Sequence, residues 1–165
     1  QLEFDFLIQE GALKMNAIDA SVMRERVLND VYSCVQKTTK ESRMVLEKLR
    51  ENYEMVLVSN FYGNIRTVLK EFGLDGFFKS IVESAEVGIR KPDPRIYEIG
   101  VQELGFEPAE VAVVGDSFQK DMMPAKQIGC CAVWLKGKAW KQETVDETMV
   151  NHVIYSLNEL LTLPF

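Results

Sequence analysis

The chain has 165 residues, enough for one domain with a real core, and its 47% hydrophobic and 27% charged residues are ordinary for a globular protein. A net charge of −6, from 19 basic and 25 acidic side chains, argues against a nucleic-acid surface but leaves room for a small anion held by a local lysine and a metal. Every apolar run is far shorter than the ~20 residues that span a bilayer, and no basic start leads into an apolar stretch, so no membrane partner is expected.

Residues 1–38 read as mostly helical. Val27, Leu28, Val31, Cys34 and Val35 recur at helical spacing after a cap expected at Asp19 or Ser21. Residues 1–17 are ambiguous: Phe4, Phe6 and Ile8 alternate like a strand, whereas Leu2, Phe6 and Leu13 suit a helix. From about residue 40 helices and strands alternate. Val45, Leu46 and Leu49 make a helical stripe, and residues 55–58 a short strand. Ile65, Val68, Leu69 and Phe72 form the next stripe, which Gly73 ends. Residues 80–82 form a weak strand. Asp93 and Pro94 start a helix through Ile96, Tyr97 and Val101 that stops at Gly105. Residues 111–114 are the clearest strand, 121–128 a short helix ending at Gly129, 131–135 a strand and 153–155 a last one. Ser156 and Glu159 make a capping box for a terminal helix. Apolar strands separated by amphipathic helices predict an α/β fold, a parallel sheet covered by helices on both faces. Ligands of such sheets sit outside the carboxyl ends of the strands.

Three motifs stand at that edge. Ser59 and Asn60 end an apolar run; a hydroxyl and the backbone N–H groups after it can hold phosphate oxygens, although a helix cap would look the same. Gly63 leaves room for a ligand there. Lys91 precedes Pro92-Asp93-Pro94, which places its ammonium near a helix N-terminus, where an anion is already favoured; most lysines are simply solvated. Arg90 is expected to point elsewhere. Asp116 follows four apolar residues and Gly115, with Asp121 five residues on. Two hard carboxylates suit Mg²⁺, although Asp116 could be a turn residue and Asp121 only a cap. The single His152 is expected to be structural, as are Trp134 in the core and Trp140 at its rim, and with one histidine a Ser-His-Asp or Cys-His site has little support. The acidic stretch from Glu83 to Glu86 reads as a solvated face. The cysteines Cys34, Cys130 and Cys131 have neither C-x-x-C nor Cys/His metal spacing, and predict reduced, buried thiols in a cytoplasmic setting.

Together these motifs resemble the haloacid dehalogenase-like hydrolases, in the phosphatase-like branch with a helical cap. Val58-Ser59-Asn60 is similar to the family's second motif. Arg90-Lys91-Pro92-Asp93-Pro94, followed by Ile96-Tyr97, is similar to the third. Gly115-Asp116-Ser117 with Asp121, continued by residues 125–129, is similar to the fourth. The likeness covers roughly residues 40–140. It implies a Rossmann-like core over 39–165 and a cap remnant over 1–38. It also implies Mg²⁺-dependent phosphoryl transfer from a small phosphorylated metabolite through an aspartyl-phosphate. By position, Ser59 would bind the phosphoryl oxygens with Asn60 nearby, Lys91 would stabilise their charge, Asp116 would ligate Mg²⁺, and Asp121 would support or share that site.

One departure is large. The family's first motif, a strand followed by Asp-x-Asp that supplies nucleophile and general acid, has no counterpart: Asp5 has no second aspartate two residues later. That strand would lie between those ending at Asn60 and Gly115, so the core is expected to lack its first strand and the chain its natural N-terminus. Two other readings stand beside a phosphatase, a non-catalytic phosphate-binding or scaffold module and a metal-free haloacid dehalogenase, which the acid pair disfavours. A phospho-acceptor receiver domain has its acids first and its lysine last, the reverse of the order here. Substrate identity and oligomeric state are not legible.

Overall fold

The computed structural model describes residues 17–137 and 145–164. Of the ambiguous residues 1–17 only Ala17 is described, and Trp140 also lies outside the described residues. The chain divides into two compact units, residues 1–41 and 42–165, and the division falls inside one continuous helix, α1 (Ala17–Leu49). Asp19 and Ser21 are therefore inside α1 rather than caps of it, and Ser21 Oγ instead accepts from Arg24 Nη2 at 3.4 Å. The predicted stripe along α1 exists, but Val27, Leu28 and Val31 are exposed. Cys34 is exposed as well, against the expectation of buried thiols; Cys130 and Cys131 are buried and half-buried, and burial pushes both of their thiols up from the ordinary range.

The larger unit alternates strand and helix: β1 (Val56–Ser59), α2 (Ile65–Glu71), β2 (Ser80–Glu83), α3 (Ser84–Val87), α4 (Arg95–Leu104), β3 (Ala112–Gly115), α5 (Met123–Gln127), β4 (Cys131–Leu135) and β5 (His152–Ile154). Every pairing among the described residues is parallel. β1 pairs with β2, which sets Ser59 opposite Glu83; β3 pairs with β4, and β4 with β5. The helices end where glycine permits a left-handed residue, at Gly73 (φ 64°) and Gly105 (φ 79°). The predicted start of α4 has a direct cause: Asp93 Oδ1 accepts from the Arg95 N–H at 3.0 Å and offsets one of the orphan donors of the first turn.

The main core lies between α4 and the strands, and Val133, Ile154 and Leu160 form a second cluster. Ile96, Met122, Ala125, Ala132 and Val133 are fully buried, and Gly100 lets α4 approach β1 so closely that a Cβ there would lie 3.0 Å from Val58 Cγ2. The element after β3 begins earlier than its sequence suggests, as a π-helical turn over Phe118–Met122. Ser117 Oγ accepts from Lys120 N at its entrance. At the C-terminus a 3₁₀ helix (Leu157–Thr162) replaces the predicted α-helix, and the carboxylate of Glu159 takes the N–H of Tyr155 rather than that of Ser156.

Coverage of the sheet is uneven. β1 and β3 do not pair with one another among the described residues. Ala112 and Val114 face outward from β3, Val114 at 40% exposure. They line an apolar groove of about 480 Å³ together with Leu49, Met55, Leu104 and Leu160. The groove shares no residue with the site described next.

Candidate active site

The predicted residues stand at strand ends and on one loop, and hydrogen bonds between them join the pieces. Ser59 is the last residue of β1, Gly115 the last of β3, and Asp116 follows it directly. Lys91 arrives on the loop between α3 and α4, after a chain reversal that ends in a cis Lys91–Pro92 peptide. Asn60 joins two of these pieces: its Oδ1 accepts from the Lys91 backbone N–H at 2.8 Å and its Nδ2 donates to the Lys91 carbonyl at 3.1 Å. The amide thus latches the loop after β1 to the loop before α4, a more specific task than the phosphate contact expected of it. Ser59 Oγ accepts from Phe61 N at 3.2 Å and shapes the same turn.

The centre of the site is Asp121, only 2% exposed. Its Oδ1 accepts from Lys91 Nζ at 2.7 Å and from Tyr97 Oη at 2.6 Å, and its Oδ2 from the Ser117 backbone N–H at 2.9 Å. A carboxylate so buried needs these three donors to offset its lost hydration. The Lys91 side chain is 17% exposed, so the ion pair is shielded yet open on one side. Asp116 differs: it is exposed, and among the described residues its carboxylate makes no hydrogen bond or ion pair. Its carbonyl accepts from Trp134 Nε1 at 3.0 Å, and Trp134 packs edge-on against Phe118, which fixes the backbone under Asp116.

Two residues read otherwise from the sequence belong here. Tyr97 lies in the apolar stripe of α4, where an aromatic at helical spacing reads as core; it is core, but its hydroxyl reaches Asp121. Burial foremost, then the Asp121 charge and hydrogen bond, push that phenol far above its usual range, so it stays a donor. Glu83 is 1% exposed, not a solvated acid, because it ends β2 opposite Ser59. Its Oε1 accepts from Gly63 N at 2.6 Å, and Gly63 holds a φ of 91°. Arg90, expected to point away, lies with its guanidinium 6.0 Å from the centre of the Tyr62 ring. His152 is half-buried in β5, away from these contacts.

The donor set is compatible with Mg²⁺, which takes one or two carboxylates and leaves positions for water and phosphate. Asp116 offers an uncommitted carboxylate, whereas both oxygens of Asp121 already accept hydrogen bonds. No group of three or more His, Cys, Asp or Glu gathers among the described residues.

Parallel strands alternating with helices, with a shielded lysine–carboxylate pair at their carboxyl ends, place the fold in the Rossmann-like α/β class. The chain belongs to the haloacid dehalogenase-like hydrolase family, whose model matches residues 7–129. It is 38% identical over 90 residues to a phosphoserine phosphatase of Thermus thermophilus, covering 54% of this chain and 36% of that protein. It is 34% identical over 96 residues to a glyceraldehyde 3-phosphate phosphatase of Methanocaldococcus jannaschii, covering 58% and 41%. Its fold matches a phosphatase of the family from Thermococcus onnurineus at a TM-score of 0.67 and 24% identity, over 96% of this chain and 68% of that one. The chain thus spans less than half the length of these two curated relatives.

Proposed function

We propose that this chain carries the phosphate- and metal-binding part of a Mg²⁺-dependent phosphatase acting on a small phosphorylated compound. The observation that supports this best is the Lys91–Asp121 pair at 2.7 Å beside an uncommitted Asp116. Lys91 has three ammonium donors and gives one to Asp121, so others remain for phosphoryl oxygens. Asp121 holds that ammonium in place, and its own position is set by Tyr97 and the Ser117 N–H, so the charge is pre-organised before substrate arrives. The Ser59 hydroxyl, which accepts from Phe61 N, offers its own O–H as a neutral donor to the same phosphate. Asp116 would ligate Mg²⁺ and Asp121 would support it from behind; the ion, when bound, neutralises charge on the phosphoryl oxygens. The relatives named above act on phosphoserine and glyceraldehyde 3-phosphate, both small phosphate monoesters. The acid pair favours this reading over a metal-free dehalogenase. The family's Asp-x-Asp does not occur in residues 1–165, so nucleophilic attack is assigned to no residue of this chain.

The test combines binding and turnover. Lys91→Ala should weaken inorganic phosphate binding in a calorimetric titration with Mg²⁺ present. In the intact protein Asp116→Asn should lower Mg²⁺-dependent phosphatase turnover at least ~100-fold, the scale of losing a pre-organised electrostatic group. Wild-type turnover in Asp116→Asn would refute the metal role, and unchanged phosphate affinity in Lys91→Ala the phosphate role.

A further inference from the structure

The loop after β1 displays a large aromatic side chain that the fold does not use. Tyr62 is 80% exposed, yet the backbone on either side of it is tied down. The Phe61 carbonyl accepts from Ser84 Oγ at 3.3 Å, the Gly63 N–H donates to the buried Glu83 at 2.6 Å, and Asn60 is latched to Lys91 by two hydrogen bonds. The ring is therefore presented on a fixed support, and little loop entropy is lost when a ligand packs on it. Two groups flank it. The Phe61 ring lies 5.8 Å away at 52°, and the Arg90 guanidinium lies 6.0 Å from the Tyr62 centroid. Each flanking group is the chain neighbour of a phosphate-site residue or of its latch, Phe61 of Asn60 and Arg90 of Lys91. Two residues, Asn60 and Phe61, separate Ser59 from Tyr62, so the Cα atoms of Ser59 and Tyr62 lie within about 10 Å of one another.

Resting on the phosphate reading above, we propose that Tyr62, backed by Arg90, is a specificity subsite for the alcohol part of the phosphate monoester, and that it selects substrates whose alcohol part carries an aromatic or heteroaromatic ring. With the phosphate on Lys91 and Ser59, a ring one or two bonds from the ester oxygen reaches the exposed Tyr62 face. Offset stacking there removes apolar area of both rings from water. The Arg90 guanidinium adds attraction to the π-face and keeps N–H donors for ring substituents. An aliphatic alcohol part of similar size has no π-face to offer.

The test is a titration of the protein, with Mg²⁺, by phenyl phosphate, glycerol 2-phosphate and inorganic phosphate. Phenyl phosphate should bind about 10-fold more tightly than glycerol 2-phosphate. Tyr62→Ala should abolish that preference while leaving inorganic phosphate affinity as it was, and Tyr62→Phe should retain it, because the ring and not the hydroxyl carries the contact. Equal affinity for the two esters in the wild type, or a preference that survives Tyr62→Ala, overturns the subsite. Lys91→Ala separates the two readings. A Tyr62-dependent preference that persists while Lys91→Ala leaves inorganic phosphate binding untouched keeps the subsite and sinks the phosphate site. Failure of all three ligands to bind sinks both.

Discussion

A methyl group on Gly115 would lie 2.4 Å from Asp121 Cβ and 2.7 Å from its Oδ2. That is closer than any real side-chain contact, and the atoms in the way are the carboxylate that holds Lys91. The glycine ending β3 is thus required by close approach and not by a left-handed backbone, since Gly115 is not among the positive-φ glycines. Gly115→Ala should destabilise the fold by about 2–3 kcal/mol through overpacking, read from urea denaturation. A variant within about 0.5 kcal/mol of wild type would mean that Asp121 moves freely, and that the pre-organisation argued for Lys91 does not exist. Lys91 and Asp121 are each legible as parts of a phosphate and metal site. Their direct bond is not, because they lie 30 positions apart and only the tertiary fold brings the loop before α4 against the turn after β3. Tyr97 and Glu83 were hidden for the opposite reason. Each fits a simpler local pattern, an apolar helical stripe and an acidic run, and burial overrides that pattern.

At the scale of elements, α4 depends on its first turn. The Arg95 side chain, and next its backbone N–H, hold the Asp93 carboxyl below its usual range. A carboxyl whose folded pKa lies below its unfolded value stabilises the fold at any pH above that unfolded value, near 3.8. The contribution is lost as pH falls through the lowered folded value. The stability gap between wild type and Asp93→Asn, followed by urea midpoints, should therefore stay level from about pH 7 to 5 and close as the pH is taken further into acid, below the unfolded value of 3.8. A gap that widens in acid would show that the carboxylate is not what caps the helix. The π-turn after Ser117 is the element least legible in advance. Its extra residue brings Asp121 back toward the Ser117 N–H, a demand of the site that helical periodicity alone does not encode.

Over the whole larger unit, order should be distributed as the pairing is. β4 has hydrogen-bonded partners on both sides, and Ala132 and Val133 are fully buried. β1 pairs only with β2 among the described residues, and all four of its residues are half-buried. Native-state hydrogen exchange should therefore find the β4 amides protected well beyond those of β1, because β4 can open only when both of its neighbours do. Equal protection in the two strands would show that β1 has a second partner in solution. The apolar groove by Val114 and Met55 shares no lining residue with the candidate site.

Local signals determined the succession of strands and helices, their glycine stops and the three motifs at the carboxyl edge, because short-range sterics, capping and periodicity act within a few residues. They also determined the family, through the order and spacing of Ser59, Lys91, Asp116 and Asp121. Only the tertiary structure decided which acid is buried and which is free, that Asn60 latches two loops, that Glu83 carries Gly63, and that Arg90 turns toward Tyr62. Those outcomes depend on which strands pair and in what register. That is settled by burial and hydrogen bonding summed over the whole unit, a quantity no window of the sequence contains.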